Sequence, residues 1–360
     1  MKDFLSLFAS ELAKKQKEAT DKISKPVAKK REINKGILQI PVSNIETAIS
    51  NVLDSQDIPK TLLQLSSIPQ VINTDQYKNA HSSDNPTGDY KAAYRLSILA
   101  DYIPFLEPNF NSSGNHVSRI YGNLIEAAAS DFSYTQNILF DAQSNYKSSS
   151  LSGMGGVPED WFPVNTVPSD WYNLLNDDDN LIELEIDLEN GKLEDNQFIT
   201  LSNNNTISWY TTENANTERK TELHKDSFIK KIKLKILLVN FFRPWLDYEI
   251  FHLQNWKITG LPKGYFSTGK IDNNNGVFSL IPQTMLVGSK VDIEGNFNES
   301  DLRMINSEKE KLLSMGPFVI NTFNKNAKVE TKNSTTVITS NAYQIVGYTS
   351  RLVPYAPCME

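Results

Sequence analysis

Two stretches decide how this chain is read: Leu181-Ile182-Glu183-Leu184-Glu185-Ile186-Asp187-Leu188-Glu189 and Phe228-Ile229-Lys230-Lys231-Ile232-Lys233-Leu234-Lys235-Ile236-Leu237-Leu238. In both, apolar residues alternate with charged ones, the period of two that marks a half-buried strand. The first turns Glu183, Glu185, Asp187 and Glu189 to its polar face, and the second turns Lys231, Lys233 and Lys235. As antiparallel neighbours they would set opposite charges across the ladder, which selects partner and register together. We therefore expect these two strands to pair.

Further strand-like runs follow at Phe198–Leu201, Thr206–Thr211, Met285–Ile293, Phe318–Phe323, Val329–Thr339 and Tyr343–Val353, with a helix near Ser300–Ser314. Turns rich in Asn and Gly, Asn203-Asn204-Asn205 and Asp272-Asn273-Asn274-Asn275-Gly276, separate them. This predicts an antiparallel sheet or β-sandwich in the C-terminal half.

The N-terminal half carries helical periods instead. Residues 3–24 place Phe4, Leu5, Phe8 and Leu12 on one face and Lys14, Lys15 and Lys17 on the following turns, with Pro26 as the stop. Helices are also expected at Asn44–Leu53, Tyr90–Tyr102 and over a long run from His116 to Tyr146. The expected class is α+β, a helical N-terminal half followed by a β C-terminal half. Its divisions are a basic amphipathic helix and linker (1–36), a helical domain (37–150), a Gly/Ser hinge with a Pro/Trp-rich connection (151–180) and a β-rich domain (181–360). Ser148–Gly156 reads as the hinge because Gly and Ser supply no core, and no Lys-Ser/Thr follows its glycines to make a P-loop.

At 360 residues, 39% hydrophobic and 22% charged, the chain is neither disordered nor collagen-like. Its one cysteine, Cys358, excludes an intrachain disulfide and a cysteine-based metal site. The net charge of -7 argues against nucleic acid as partner. Residues 1–36 nonetheless hold ten Lys and Arg against five Asp and Glu, a basic arm on an acidic body. Such a helix suits packing on its own domain, docking to a partner protein, or lying on an anionic membrane surface. No apolar run is long enough for a spanning helix, and the start lacks the ordered parts of a Sec signal peptide, so cytoplasmic residence or export by another route is expected.

Chemistry is sparsely signalled. The histidines, His81, His116, His224 and His252, show no metal-ligand spacing, and no nucleophile elbow, dinucleotide fingerprint or Walker sequence is present. Asp177-Asp178-Asp179 and Asp272–Gly276 lack the calcium-loop spacing, so no metal or cofactor is expected. A short repeat, Val157-Pro158-Glu159-Asp160-Trp161-Phe162 and Val167-Pro168-Ser169-Asp170-Trp171-Tyr172, sets an aromatic beside a carboxylate twice. Trp161, Trp171, Asp160 and Asp170 would serve a sugar-stacking or protein-anchoring site, or clamp an irregular connection onto the core. They join Lys14, Lys15 and Lys17 as binding candidates.

In Phe241-Phe242-Arg243-Pro244-Trp245-Leu246-Asp247, Pro244 ends a strand, and Arg243 and Asp247 are expected to pair around Trp245 as a rigid corner. With Gln344-Ile345-Val346-Gly347-Tyr348 near the C-terminus, this segment resembles uncharacterised bacterial proteins that share an Arg-Pro-Trp-[Leu/Met/Phe]-Asp motif and a closing Gln-[Ile/Val]-[Ile/Val]-Gly-[Trp/Tyr] strand. The resemblance covers residues 230–357 and implies no activity. The expected function is a non-enzymatic, bacterial-type binding or assembly protein whose helical front engages a protein partner, a second copy or a membrane. A hydrolase acting on carbohydrate and a toxin-like pore former are the alternatives.

Overall fold

The computed structural model describes residues 3–24, 61–80, 85, 87–150, 161–201, 207–214, 217–307, 312–322, 327–332 and 335–359. The expected helix at Asn44–Leu53, the linker after residue 24, the glycines of the hinge, the turn Asn203–Asn205, His81 and Asp160 lie outside them.

Five strands frame a ten-stranded sheet: β1 (Thr61–Val71), β2 (Ile182–Asp187), β3 (Phe228–Phe242), β4 (Leu280–Asn296) and β5 (Gln344–Leu352). The charged strands pair as their alternation requires. β2 and β3 run antiparallel with Lys231 opposite Asp187, Lys233 opposite Glu185 and Lys235 opposite Glu183. Glu185 takes both Lys231 (2.7 Å) and Lys233 (3.2 Å), while Lys235 reaches Asp178 in the preceding turn. Leu184, Ile186, Ile232, Leu234 and Ile236 are buried on the other face. The long β4 lies along the other edge of β3 and carries β5 and then Thr335–Ser340 on its far side.

A helical half followed by an antiparallel half is not what forms. Strand takes 38% of the described residues and helix 28%, and the sheet draws on most of the chain. β1, from the half expected to be helical, is antiparallel to β5, and Asn109–Phe110 and Phe198–Ile199 join it in parallel, so the sheet is mixed. The sequence Thr-Leu-Leu-Gln-Leu-Ser-Ser-Ile-Pro-Gln-Val hides this strand: a register shift between Leu65 and Gln70 breaks its alternation. The run His116–Tyr146 is two helices rather than one, and within the helix expected over Ser300–Ser314 the described residues are helical over Glu299–Ser307 and extended over Leu312–Met315.

Neighbouring residues point to opposite faces of the sheet. Leu286 and Val346 face a cluster that includes α1 (Phe4–Ser24) and a second, four-stranded sheet. α1 starts at Asp3, whose carboxylate accepts the Leu5 amide at 3.2 Å and the Ser6 hydroxyl at 2.8 Å. Its apolar face, Leu5, Leu7, Phe8 and Leu12, is spent on this core, so of the three placements that suit such a helix the structure shows packing on its own domain. Met285, Val287, Ile345 and Tyr348 face the opposite cluster, which contains Trp171.

The closing Gln-Ile-Val-Gly-Tyr strand joins these layers. Gln344 Oε1 accepts the Val319 amide of the small sheet at 2.7 Å, and Tyr348 stacks on Phe110 at 4.0 Å. A Cβ at Gly347 would stand 2.5 Å from the Gln64 carbonyl oxygen, so only glycine lets β1 and β5 approach there.

Candidate binding cleft

Three helices and one extended segment surround a cleft of about 520 Å³. α2 (Tyr90–Asp101) supplies Tyr94, Ser97 and Asp101; α3 (Val117–Ala127), with the residue before it, supplies His116, Ser118, Arg119, Asn123 and Glu126. α4 (Ser133–Ser149) supplies Tyr146, and the chain after the hinge supplies Trp161 and Phe162. On α3 the cleft-facing Arg119, Gly122, Asn123 and Glu126 follow i, i+3, i+4, i+7 spacing, and Val117, Tyr121, Leu124 and Ile125 fill the core from its other side.

The N-terminus of α3 lacks a cap from its own sequence, because His116 makes no side-chain capping bond. Asp101 of α2 caps it instead, accepting the Ser118 amide at 2.8 Å and the Ser118 hydroxyl at 2.6 Å. The same carboxylate holds His116 Nδ1 at 3.2 Å, and the Tyr102 ring lies 4.8 Å from the imidazole. The bond to Asp101 raises the His116 pKa above its ordinary value, against partial burial and the charge of Arg119. Tyr146 donates to the Ser118 carbonyl at 3.1 Å and stacks on Phe162 at 4.0 Å. A Cβ at Gly122 would sit 2.4 Å from the Tyr146 hydroxyl oxygen, so glycine makes room for that side chain.

The Arg-Pro-Trp-Leu-Asp segment binds all four walls from behind. Arg243 Nη2 donates to the Ala100 carbonyl of α2 at 2.7 Å, and Trp245 Nε1 to the Pro163 carbonyl at 2.8 Å. The Asp247 amide donates to the Tyr121 hydroxyl of α3 at 3.0 Å, and Asn145 of α4 donates to the Pro244 carbonyl at 2.9 Å. Arg243 and Asp247 do not form the expected ion pair. Arg243 is only 4% exposed and turns back to α2, whereas Asp247 Oδ1 accepts the Glu249 amide at 2.8 Å and starts the turn Glu249–Phe251. Burial lowers the Arg243 pKa; Tyr248 and the Asp101 carboxylate oppose that shift.

Of the binding candidates from the sequence that lie among the described residues, Trp161 alone lines the cleft; His116, whose spacing gave no metal site, lines it too. Trp161 is 6% exposed, packs edge-on to Tyr94 at 6.2 Å, and its indole N–H has no hydrogen-bond partner among the described residues. Trp171 is fully buried among Leu237, Val239 and Met285 and offers no stacking surface; Asp170 precedes its short helix without capping it through its side chain. Lys14 pairs with Glu11 and Lys15 with Glu18 within α1, and Lys17 is exposed; none of the three lines the cleft. The Asp101–His116 contact escapes a reading of the sequence because it joins the end of one helix to the start of the next, 15 residues apart.

Glu126, the other carboxylate lining the cleft, lies eight residues beyond Ser118 and is held 3.9 Å from Lys147 of α4. Ser118 donates to Asp101 rather than to His116, so it is not set up as an activated nucleophile. Among the described residues no three His, Cys, Asp or Glu side chains converge on a metal position. Comparison with protein-family models, curated proteins and solved structures finds no match to this chain.

Proposed function

We propose that this is a non-enzymatic binding protein in which the sheet, through the Arg243–Asp247 corner, holds a helical layer open around a site for a small polar ligand. The observation that supports this is the cleft itself, with the hydrogen-bonding groups of α3 along one wall and the rings of Tyr94, Trp161 and Phe162 on others. Thermal unfolding of the wild type and of Asn123→Trp, an exposed position where the indole fills the cleft, would be followed with sugars, amino acids, nucleotides and dicarboxylates. A ligand that stabilises the wild type and not the variant is the expected outcome. If no compound stabilises the wild type, or both respond alike, the reading fails.

A second reading, engagement of a protein partner by the front half, is favoured by α4. Phe132 just before it and Tyr134 and Phe140 on it are 53%, 75% and 68% exposed. Asp131 and Asp141 flank them, which disfavours an anionic membrane as the occupant. Sedimentation of the wild type against Phe140→Asp tests whether the partner is a second copy.

A further inference from the structure

The charges of the cleft are not evenly placed along α3. His116 and Arg119 stand at its N-terminal end, where the helix dipole is also positive, and Glu126 lies two turns away with its carboxylate 3.9 Å from Lys147 of α4. Asp101, the other carboxylate at that end, is already engaged by the Ser118 amide, the Ser118 hydroxyl and His116 Nδ1, with the buried Arg243 behind it. With Nδ1 held by Asp101, the imidazole has Nε2 left to donate when protonated. Arg119 is exposed and forms no ion pair among the described residues. The end of the cleft therefore gathers Arg119 and, when protonated, a cationic His116, beside a carboxylate already engaged in capping the helix.

We infer that the cleft seats a small anionic ligand, its carboxylate or phosphate group held between His116 and Arg119 at the start of α3. This deepens the binding reading above and rests on it. Arg119 supplies a planar fork suited to two oxygens, His116 a second charge-assisted bond, and the dipole adds to both. The charged groups facing His116 are Asp101 from α2 and Arg119 from its own helix. Protonation of the imidazole completes the site, so anion binding strengthens as pH falls through the titration of His116.

The test uses the full chain and NMR of the imidazole and α3 amide resonances. Sulfate, whose charge is constant over the range, and acetate are titrated at matched ionic strength against chloride, with D-glucose as an uncharged probe. Sulfate is expected to perturb His116 and Arg119, to raise the apparent His116 pKa, and to bind several-fold more tightly at about pH 5.5 than at about pH 8. Arg119→Gln should weaken it about tenfold, and His116→Gln should remove the pH dependence; both are surface changes that leave the helices folded, checked by circular dichroism. Sulfate binding that is unaffected by Arg119→Gln, or no sulfate response where glucose does perturb α3, overturns the anion assignment and leaves the binding reading standing. If none of the three probes perturbs α3, the anion assignment is overturned, and the ligand panel with Asn123→Trp decides the binding reading separately.

Discussion

Single residues account for much of how the cleft is held open. Asp101 caps a helix that its own sequence leaves uncapped, and the same carboxylate raises the pKa of His116. A histidine whose folded pKa is raised binds its proton more tightly folded than unfolded. Its contribution is therefore complete below the unfolded value of about 6.5 and is lost as pH rises through the higher folded value. Urea unfolding of the wild type and His116→Gln should differ most near pH 5.5 and converge above the folded pKa. A gap that instead widened at alkaline pH would contradict the Asp101 contact. Gly122→Ala places a methyl group against the Tyr146 hydroxyl, and that ring is pinned between Phe162 and Trp245. We expect a loss of about 1–3 kcal/mol in the same assay, the range for overpacking a filled site. A neutral outcome would mean that Tyr146 has room to shift.

At the scale of elements, the pairing of β2 with β3 rests on two different forces. Burial of Leu184, Ile186, Ile232, Leu234 and Ile236 brings the strands to the same core, and the charges on the outer face choose the register. Lys231 and Lys233 lower the Glu185 pKa, so that this contribution is present above the ordinary glutamate value and fades as pH falls through the lowered one. Glu185 is largely exposed, and screening keeps the effect modest. Glu185→Lys sets like charges opposite Lys233 and should destabilise by about 1 kcal/mol at low salt, less at high salt. Adding Lys233→Glu should restore part of it, since Lys231 then stands beside the new lysine. Full additivity of the two losses would show that the cross-strand charges do not interact. The Arg243–Asp247 corner belongs to this scale as well: its sequence announces rigidity, but the partners of Arg243, Pro244, Trp245 and Asp247 lie on four other segments.

Across the whole molecule, front and back interleave. α1 fills the core of a sheet whose first strand starts only at Thr61, and β1 lies beside β5, near the opposite end of the chain. Phe8→Ala should therefore destabilise by about 3–5 kcal/mol, as for other buried aromatics. The intact chain should not float with anionic vesicles through α1, whose apolar face is occupied; flotation with an unchanged circular dichroism spectrum would contradict that packing. The sequence by itself determined the charged strand pair, several strands of the back half and the amphipathic first helix. All of these are written in local periodicity or in residues with narrow backbone choices, which a single chain segment displays without its partners. Only the tertiary structure decided that β1 is a strand, that Trp171 is core while Trp161 borders a cleft, and that Asp101, His116 and Arg119 gather at one helix end. Those outcomes depend on contacts between segments remote in sequence or separated by a turn, and a strand's burial or a helix cap supplied from elsewhere leaves no periodic trace in the residues that make it.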